Sequence, residues 1–332
     1  MPKGIAVAGN LIVDNMKYID NWPSRHMLTT ITDISRSTGG LCTSCTLTLA
    51  KLDPALPIKV IGLVGCDEAG DFILSRLNAH PRVDTSRVRR MGATSYTDVM
   101  TENGSGARTF FIYRGANAML SPEHFDFGGL DADILHIGYI LLLDTLDGPD
   151  PEYPTAMCRV LDAAQKAGIR TSIDVVSEDG ERFSKLVPPA LRYADYCTIN
   201  EIEASRTTGI ELRGADGAPV MGNLPLVCRK LMDMGVGRWV VVHMPELACG
   251  LERGGAYVYE PSWRIPDGFI KSTVGAGDAF ASGIIYGAYS GRSLAESIRI
   301  AGAVAACSLS GEGASDAIRP MPELLAKMEA LQ

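Results

Sequence analysis

The chain has 332 residues, of which 46% are hydrophobic and 7% aromatic, with 35 glycines, a formal charge of −8 and a sequence isoelectric point of about 5.2. That length holds one large domain or two ordinary ones, and the apolar content can bury a sizeable core, which excludes a disordered or fibrous chain. The acidic balance repels nucleic acid and anionic membrane surfaces over most of the molecule, so an anionic ligand requires a local, built-in site.

Met1–Ala8 runs directly into a short apolar strand, without the longer apolar stretch and cleavage site of a secretory signal. The longest apolar run, Ile134–Leu143, is too short to span a bilayer and reads as a buried strand with its flank. Eight cysteines dispersed through the chain point to reduced thiols. Together these features predict a cytoplasmic protein with no membrane or nucleic-acid partner.

After the opening strand, the pattern predicts a helix over Cys42–Leu52, a strand over Lys59–Val64 and a helix over Asp67–Asn78. A strand at Ile134–Ile137, a helix at Pro154–Ala167 and a strand at Thr171–Val175 follow. Leu224–Met234 reads as a helix, Trp239–Val242 as a strand and Asp278–Ser290 as a helix. Such alternation predicts a three-layer α/β/α fold with a mostly parallel central sheet, and ligands beyond the carboxyl ends of its strands.

Two segments, 11–37 and 91–117, break the rhythm. In the second, alternation in Thr94–Met100 and Arg108–Tyr113 predicts antiparallel strands joined by a hairpin at Asn103-Gly104-Ser105-Gly106. Both segments read as excursions forming a small β-sheet lid, or else as ordinary surface hairpins; the lid reading leaves 1–10, 38–90 and 118–332 as the main nucleotide- and substrate-binding domain.

Cys42-Thr43-Ser44-Cys45 reads either as small buried residues on an early helix or as a thiol redox pair at a helix start. No second C-x-x-C or well-spaced histidine pair completes a zinc site. The most informative stretch is Ser272-Thr273-Val274-Gly275-Ala276-Gly277-Asp278, followed by an apolar run. Small residues before a helix start present unpaired N–H groups and the positive end of the dipole to an anion. A phosphoryl group in transfer needs such a place, and Asp278 could take the proton of an attacking hydroxyl. Taken alone, the segment also reads as a tight turn with Asp278 capping a helix.

This segment resembles the second signature of the PfkB/ribokinase family of carbohydrate kinases, and the resemblance extends over nearly the whole chain. Gly9-Asn10-Leu11-Ile12-Val13-Asp14 is similar to the family's opening strand and turn, Gly39-Gly40 to its glycine pair beside the acceptor, and Gly115-Ala116-Asn117 to the end of its lid hairpin. Asn200-Glu201-Ile202-Glu203 resembles the N-x-x-E motif that organises Mg²⁺ and its waters. The resemblance implies an ATP-dependent kinase of a sugar or sugar derivative, with Asp278 as base and Gly275, Ala276 and Gly277 as the anion hole. It further implies Asn10, Asp14, Gly39, Gly40, Ser44 and Arg108 on the acceptor, and Thr273, Ala303 and Gly313 with Asn200 and Glu203 on Mg·ATP. A homodimer joined through the lids is expected on the same ground.

Departures narrow the reading. Ser44 stands where the family commonly has a sugar-binding Asn, leaving the substrate open between sugar, sugar acid and sugar phosphate. Ser272 and Val274 replace an Asp and a Thr near the family's monovalent-cation site, so K⁺ activation is not expected. His243, after the predicted strand Trp239–Val242, reads either as a phosphate contact or as a satisfied strand-end histidine. Arg108 and Arg114, flanking the second lid strand, read either as a clamp on an anionic acceptor or as solvated edge charges. A nucleoside kinase of the same fold, a sugar or nucleotide sensor without turnover, a thiol redox protein and a dinucleotide-dependent oxidoreductase are the alternative functions.

Overall fold

A computed structural model of the protein describes residues 3–178 and 180–331. Among these residues nine strands build one sheet: β1 (Ile5–Gly9), β4 (Ile58–Val64), β5 (Val83–Arg90), β8 (Ile134–Ile140), β9 (Arg170–Val175), β10 (Tyr196–Asn200), β11 (Trp239–His243), β12 (Leu247–Glu252) and β13 (Tyr257–Pro261). Their order is β13-β12-β11-β10-β9-β8-β1-β4-β5, parallel from β11 to β5 and antiparallel at the β11-β12-β13 end. Ten helices among the described residues cover it: α1 (Leu41–Leu52), α2 (Glu68–Asn78), α3 (Asp144–Asp147), α4 (Ala156–Lys166), α5 (Phe183–Leu191), α6 (Glu201–Thr208), α7 (Leu224–Asp233), α8 (Ala276–Tyr289), α9 (Leu294–Ser308) and α10 (Met321–Glu329).

Alternation within β1 shows how the layers form. Ala6 and Ala8 face a core shared with α4, α5 and α7, whereas Ile5 and Val7 face one shared with α1, α2, α8 and α9. A strand buried on both faces must be apolar throughout, as β1 is, and each fully buried Ile or Val contributes about 1.5–3 kcal/mol. The expected three-layer α/β/α fold is the one observed.

A second sheet has the order β3-β2-β6-β7, from β2 (Ile12–Ile19), β3 (Ile31–Gly39), β6 (Ser95–Glu102) and β7 (Arg108–Tyr113). β6 and β7 pair antiparallel, as their alternation predicts. The two excursions are joined to each other by a parallel pairing of β2 with β6, which the antiparallel expectation did not include. Asn117, buried where the chain leaves this sheet, exchanges hydrogen bonds with the backbone of Leu11 and ties both excursions to the end of β1. No helix among the described residues is long and apolar enough to cross a membrane.

Candidate active site

The carboxyl ends of β1, β8, β9, β10 and β11 meet the N-terminus of α8. Gly275 is the residue before α8 and adopts φ 76°, where a side chain would be strained; a Cβ there would also stand 2.1 Å from the Ala314 Cβ. A glycine is therefore required both for the turn and for the approach of the loop carrying Ala314. In the first turn of α8 the N–H groups have no helical acceptor. That of Ala276 is turned toward the Thr273 carbonyl at 3.4 Å, so of the three residues expected to form an anion hole, Gly275 and Gly277 offer the freer amides.

Asp278 follows on the same turn, 6% exposed. Its Oδ1 accepts the Tyr139 hydroxyl at 2.5 Å, and the Ser44 hydroxyl on α1 lies beside it and favours its ionised form. Burial pushes its pKa up to about 6, against the lowering effect of both hydroxyls. Burial also pushes the Tyr139 phenol well above its usual range, so it stays protonated and acts as a donor. Tyr139 was missed in the sequence, since it stands in an apolar run.

Asp14 on β2 is close enough to feel the Asp278 charge. Its pKa is raised to about 6 by burial, with a further contribution from the Asp278 charge and against the lowering effect of the neighbouring Thr97 hydroxyl. Gly39 lies against this carboxylate: a Cβ there would stand 2.0 Å from Asp14 Oδ2. Gly40, at φ 78°, opens α1 with its Cβ position 2.5 Å from the Asn10 carbonyl oxygen. Asn10 is placed differently from the expectation of an acceptor contact. Its Oδ1 accepts the Tyr139 N–H at 2.8 Å and its Nδ2 reaches the Leu142 carbonyl at 3.5 Å, so the buried side chain ties down the end of β8 and the chain after it.

On the far side of Asp278 lie Asp174, at the end of β9, and Glu203 on α6. Asp174 is held well above the carboxylate range by burial and then by the charges of Glu203 and Asp278. Glu203 is pushed up to about 7, chiefly by burial. Asn200 and Glu203 form a capping box: Asn200 Oδ1 accepts the N–H groups of Ile202 and Glu203 at 2.9 Å, and Glu203 Oε2 accepts the Asn200 N–H at 3.0 Å. Asp14, Asp278, Asp174 and Glu203 thus make a chain of mutually repelling oxygen donors. No cluster of metal-ligating side chains at coordination spacing occurs among the described residues. The donor set fits Mg²⁺, which keeps several waters and needs few direct protein ligands.

A cavity of about 660 Å³ opens from this point between β11, β13, α8 and α9. Asn200, Thr273, Ala276 and Gly277 line its inner end, and Trp263, Ala305 and Leu309 its apolar end. His243 lines it too, packed on the Phe280 ring at 4.8 Å between centroids. Burial lowers its pKa to about 4, so it is neutral near pH 7 and brings no positive charge to a phosphate. Ala303 needs correction. It is fully buried against α8 and α10, while Gly302, Ala305 and Ala306 on the same helix line the cavity, because successive helical residues turn by about 100°. Gly313 lies in the loop beyond α9, its N–H donating to Asp316 at 2.9 Å, and is not among the lining residues.

Arg108, on β7, reaches across from the lid sheet to the Ser272 hydroxyl at 3.5 Å. Arg114 is instead paired with Asp144 and with the Leu141 carbonyl, which removes it from the expected clamp. Cys42 and Cys45 are fully buried, with Cys45 Sγ donating to the Asp278 carbonyl at 3.4 Å. Burial raises both thiol pKa values, opposite to what a reactive thiolate requires.

The pfkB family carbohydrate kinase profile matches residues 5–320. The Arabidopsis thaliana ribokinase is 26% identical over 280 residues, which cover 83% of this chain and 68% of that protein. The structure of Arabidopsis thaliana ribokinase complexed with ribose and ATP superposes with a TM-score of 0.79 at 22% identity, covering 99% of both chains. The nucleoside kinase of Methanocaldococcus jannaschii, an archaeal member of the ribokinase family, superposes at 0.74 and 15% identity, covering 98% of each.

Proposed function

The chain belongs to the pfkB family of carbohydrate kinases, and from that premise we propose that it transfers the γ-phosphoryl group of ATP to a hydroxyl of a sugar or sugar derivative. The observation that carries this reading is the buried Asp278 carboxylate, with a pKa of about 6, at the helix terminus where Gly277 opens into the nucleotide-sized cavity. In that setting a carboxylate is ionised near pH 7 yet basic enough to accept a proton in the transition state.

Asp278 takes the acceptor proton as the acceptor oxygen bonds to the γ-phosphorus and the bond to the ADP oxygen breaks. The amides of Gly275 and Gly277, supported by Ala276, stabilise the charge on the transferring group. Asp14, with Gly39 and Gly40 leaving room beside it, holds acceptor hydroxyls, and Ser44 and Tyr139 orient Asp278. Asn10 contributes by fixing Tyr139. Thr273 and the α9 residues Ala305 and Ala306 flank the nucleotide. Asn200 and Glu203 would hold Mg²⁺ through water, with Asp174 beside them. The ion would supply charge neutralisation on the phosphates. The lid sheet, by closing over the acceptor, excludes water.

A sugar is favoured over a nucleoside by the lid itself. Residues two apart share a face of a strand, so Phe110 lies on the face of Arg108, and Phe111 and Tyr113 on the other. Tyr96 is cross-strand partner to Tyr113, with rings 5.3 Å apart, and joins that second face. Of the four lid rings that could stack on a base, one remains. The outer face, where Trp22 stacks on Phe111 at 6.1 Å and both are 49% exposed, suits the lid-to-lid homodimer. Light scattering on a Phe111→Asp variant tests it, with a monomer expected. The dispersion of eight cysteines through the chain is the ground for proposing a reducing, cytoplasmic compartment.

ADP release from Mg·ATP, measured across pentoses, hexoses, sugar acids, sugar phosphates and nucleosides, tests the assignment. Stimulation by a sugar-type acceptor is expected; stimulation by nucleosides alone would transfer it to the nucleoside class.

A further inference from the structure

At the edge of the large sheet opposite the active site, the amino ends of β9, β10 and β11 and the end of α8 enclose a second cavity, of about 540 Å³. Four arginines line it, Arg170, Arg238, Arg253 and Arg292, against two carboxylates, Asp195 and Glu252. This is a positive spot on a chain of formal charge −8. Both carboxylates already have neutral donors: Asp195 Oδ2 accepts the Thr171 N–H at 2.9 Å, and Glu252 Oε1 the Trp239 indole N–H at 3.1 Å.

Two of the guanidinium groups are also spent internally. Arg253 donates to the carbonyls of Met232 and Val236, and Arg170 to the Tyr196 hydroxyl at 2.9 Å and the Ala288 carbonyl at 3.4 Å. The other two are not. Arg238 and Arg292 make no side-chain hydrogen bond among the described residues; each forms only a long ion pair, with Asp195 at 3.6 Å and with Glu296 at 3.7 Å. These distances exceed hydrogen-bonding range.

Two guanidinium forks from different elements therefore converge on one cavity with their donors unused. A fork matches two oxygens of a phosphate, and a phosphate has enough terminal oxygens to meet two forks at once, which a single carboxylate lacks. The volume is that of a small-molecule site. We propose that this cavity is a second binding site, for a phosphorylated small molecule held through its phosphate by Arg238 and Arg292. Arg170, Tyr196 and Trp239 stand at or near the starts of the strands whose far ends carry Asp174, Asn200 and His243, so the two sites lie on the order of 15 Å apart. The occupant does not compete with ATP.

Calorimetric titration of inorganic phosphate into protein saturated with Mg²⁺ and a non-hydrolysable ATP analogue tests this. Saturable one-to-one binding is expected, weakened at least tenfold in the double variant Arg238→Ala, Arg292→Ala, with kcat and KM for ATP unchanged. Both side chains are more than half exposed, so the double variant should fold. A second double variant, Arg238→Lys with Arg292→Lys, keeps the charge and loses the fork; it should weaken binding several-fold. Absence of saturable binding, affinity unchanged in both double variants, or acetate binding as tightly as phosphate would each overturn the proposal.

Discussion

The Tyr139 hydroxyl donates a hydrogen bond to Asp278 Oδ1 at 2.5 Å, joining the end of β8 to the first turn of α8. The proposed base is thereby held in place by a phenol that burial keeps protonated. The bond stabilises the ionised carboxylate and opposes the burial that raises its pKa to about 6.

Replacing Tyr139 by Phe keeps the ring and removes that stabilisation, so the Asp278 pKa should rise further. The base must be ionised to act, and its ionised fraction at a given pH falls as its pKa rises. The acid limb of kcat/KM, near pH 6 in the native protein, should therefore move to higher pH, with a larger loss at pH 6 than at pH 8. A full pH–rate profile reads this shift; an unmoved limb would separate Tyr139 from the base.

Glu203→Gln tests the role of α6 in metal binding. Glutamine can still accept the Asn200 N–H through its amide oxygen, so the capping box and the melting temperature should persist. The charge beside Asp174 is lost, and the Mg²⁺ concentration for half-maximal activity should rise by about tenfold. An unchanged Mg²⁺ titration would confine Glu203 to capping.

Arg108 and Ser272 bear on monovalent cations. The Ser272 hydroxyl accepts the Val274 N–H at 3.2 Å and faces the Arg108 guanidinium, whose positive charge repels a second cation. Turnover in K⁺ should match that in tetramethylammonium at equal ionic strength within about twofold, since screening is then the same. A large rise on adding K⁺ would contradict this, and Arg108→Ala should raise KM for the acceptor more than for ATP.

The parts of this site that the sequence discloses are those whose geometry is local. Gly275 to Asp278 form one contiguous turn, and Asn200 with Glu203 meet at a fixed helical spacing, so residue order alone suggests their relation. Tyr139 and Asp174 lie in or beside strands buried on both faces, where any residue reads as core, and Tyr139 meets Asp278 only through the sheet's topology. β5 escaped for the opposite reason: Val83–Arg90 is an edge strand rich in charge, without the apolar run that marks its neighbours. The parallel pairing of β2 with β6 joins distant segments and has no local signal. Ala303 lies one helical step from the residues of α9 that line the cavity.

The most direct test of the account compares ADP release by the native protein and an Asp278→Asn variant, with the best acceptor from the panel and with nucleotide affinity measured alongside. Asparagine fills the same space but is no base. Acceptor-stimulated turnover should fall by about 10²–10⁴-fold while ATP binding changes by less than about twofold. Near-native turnover in the variant would contradict the assignment of Asp278 as base, and with it the proposed mechanism.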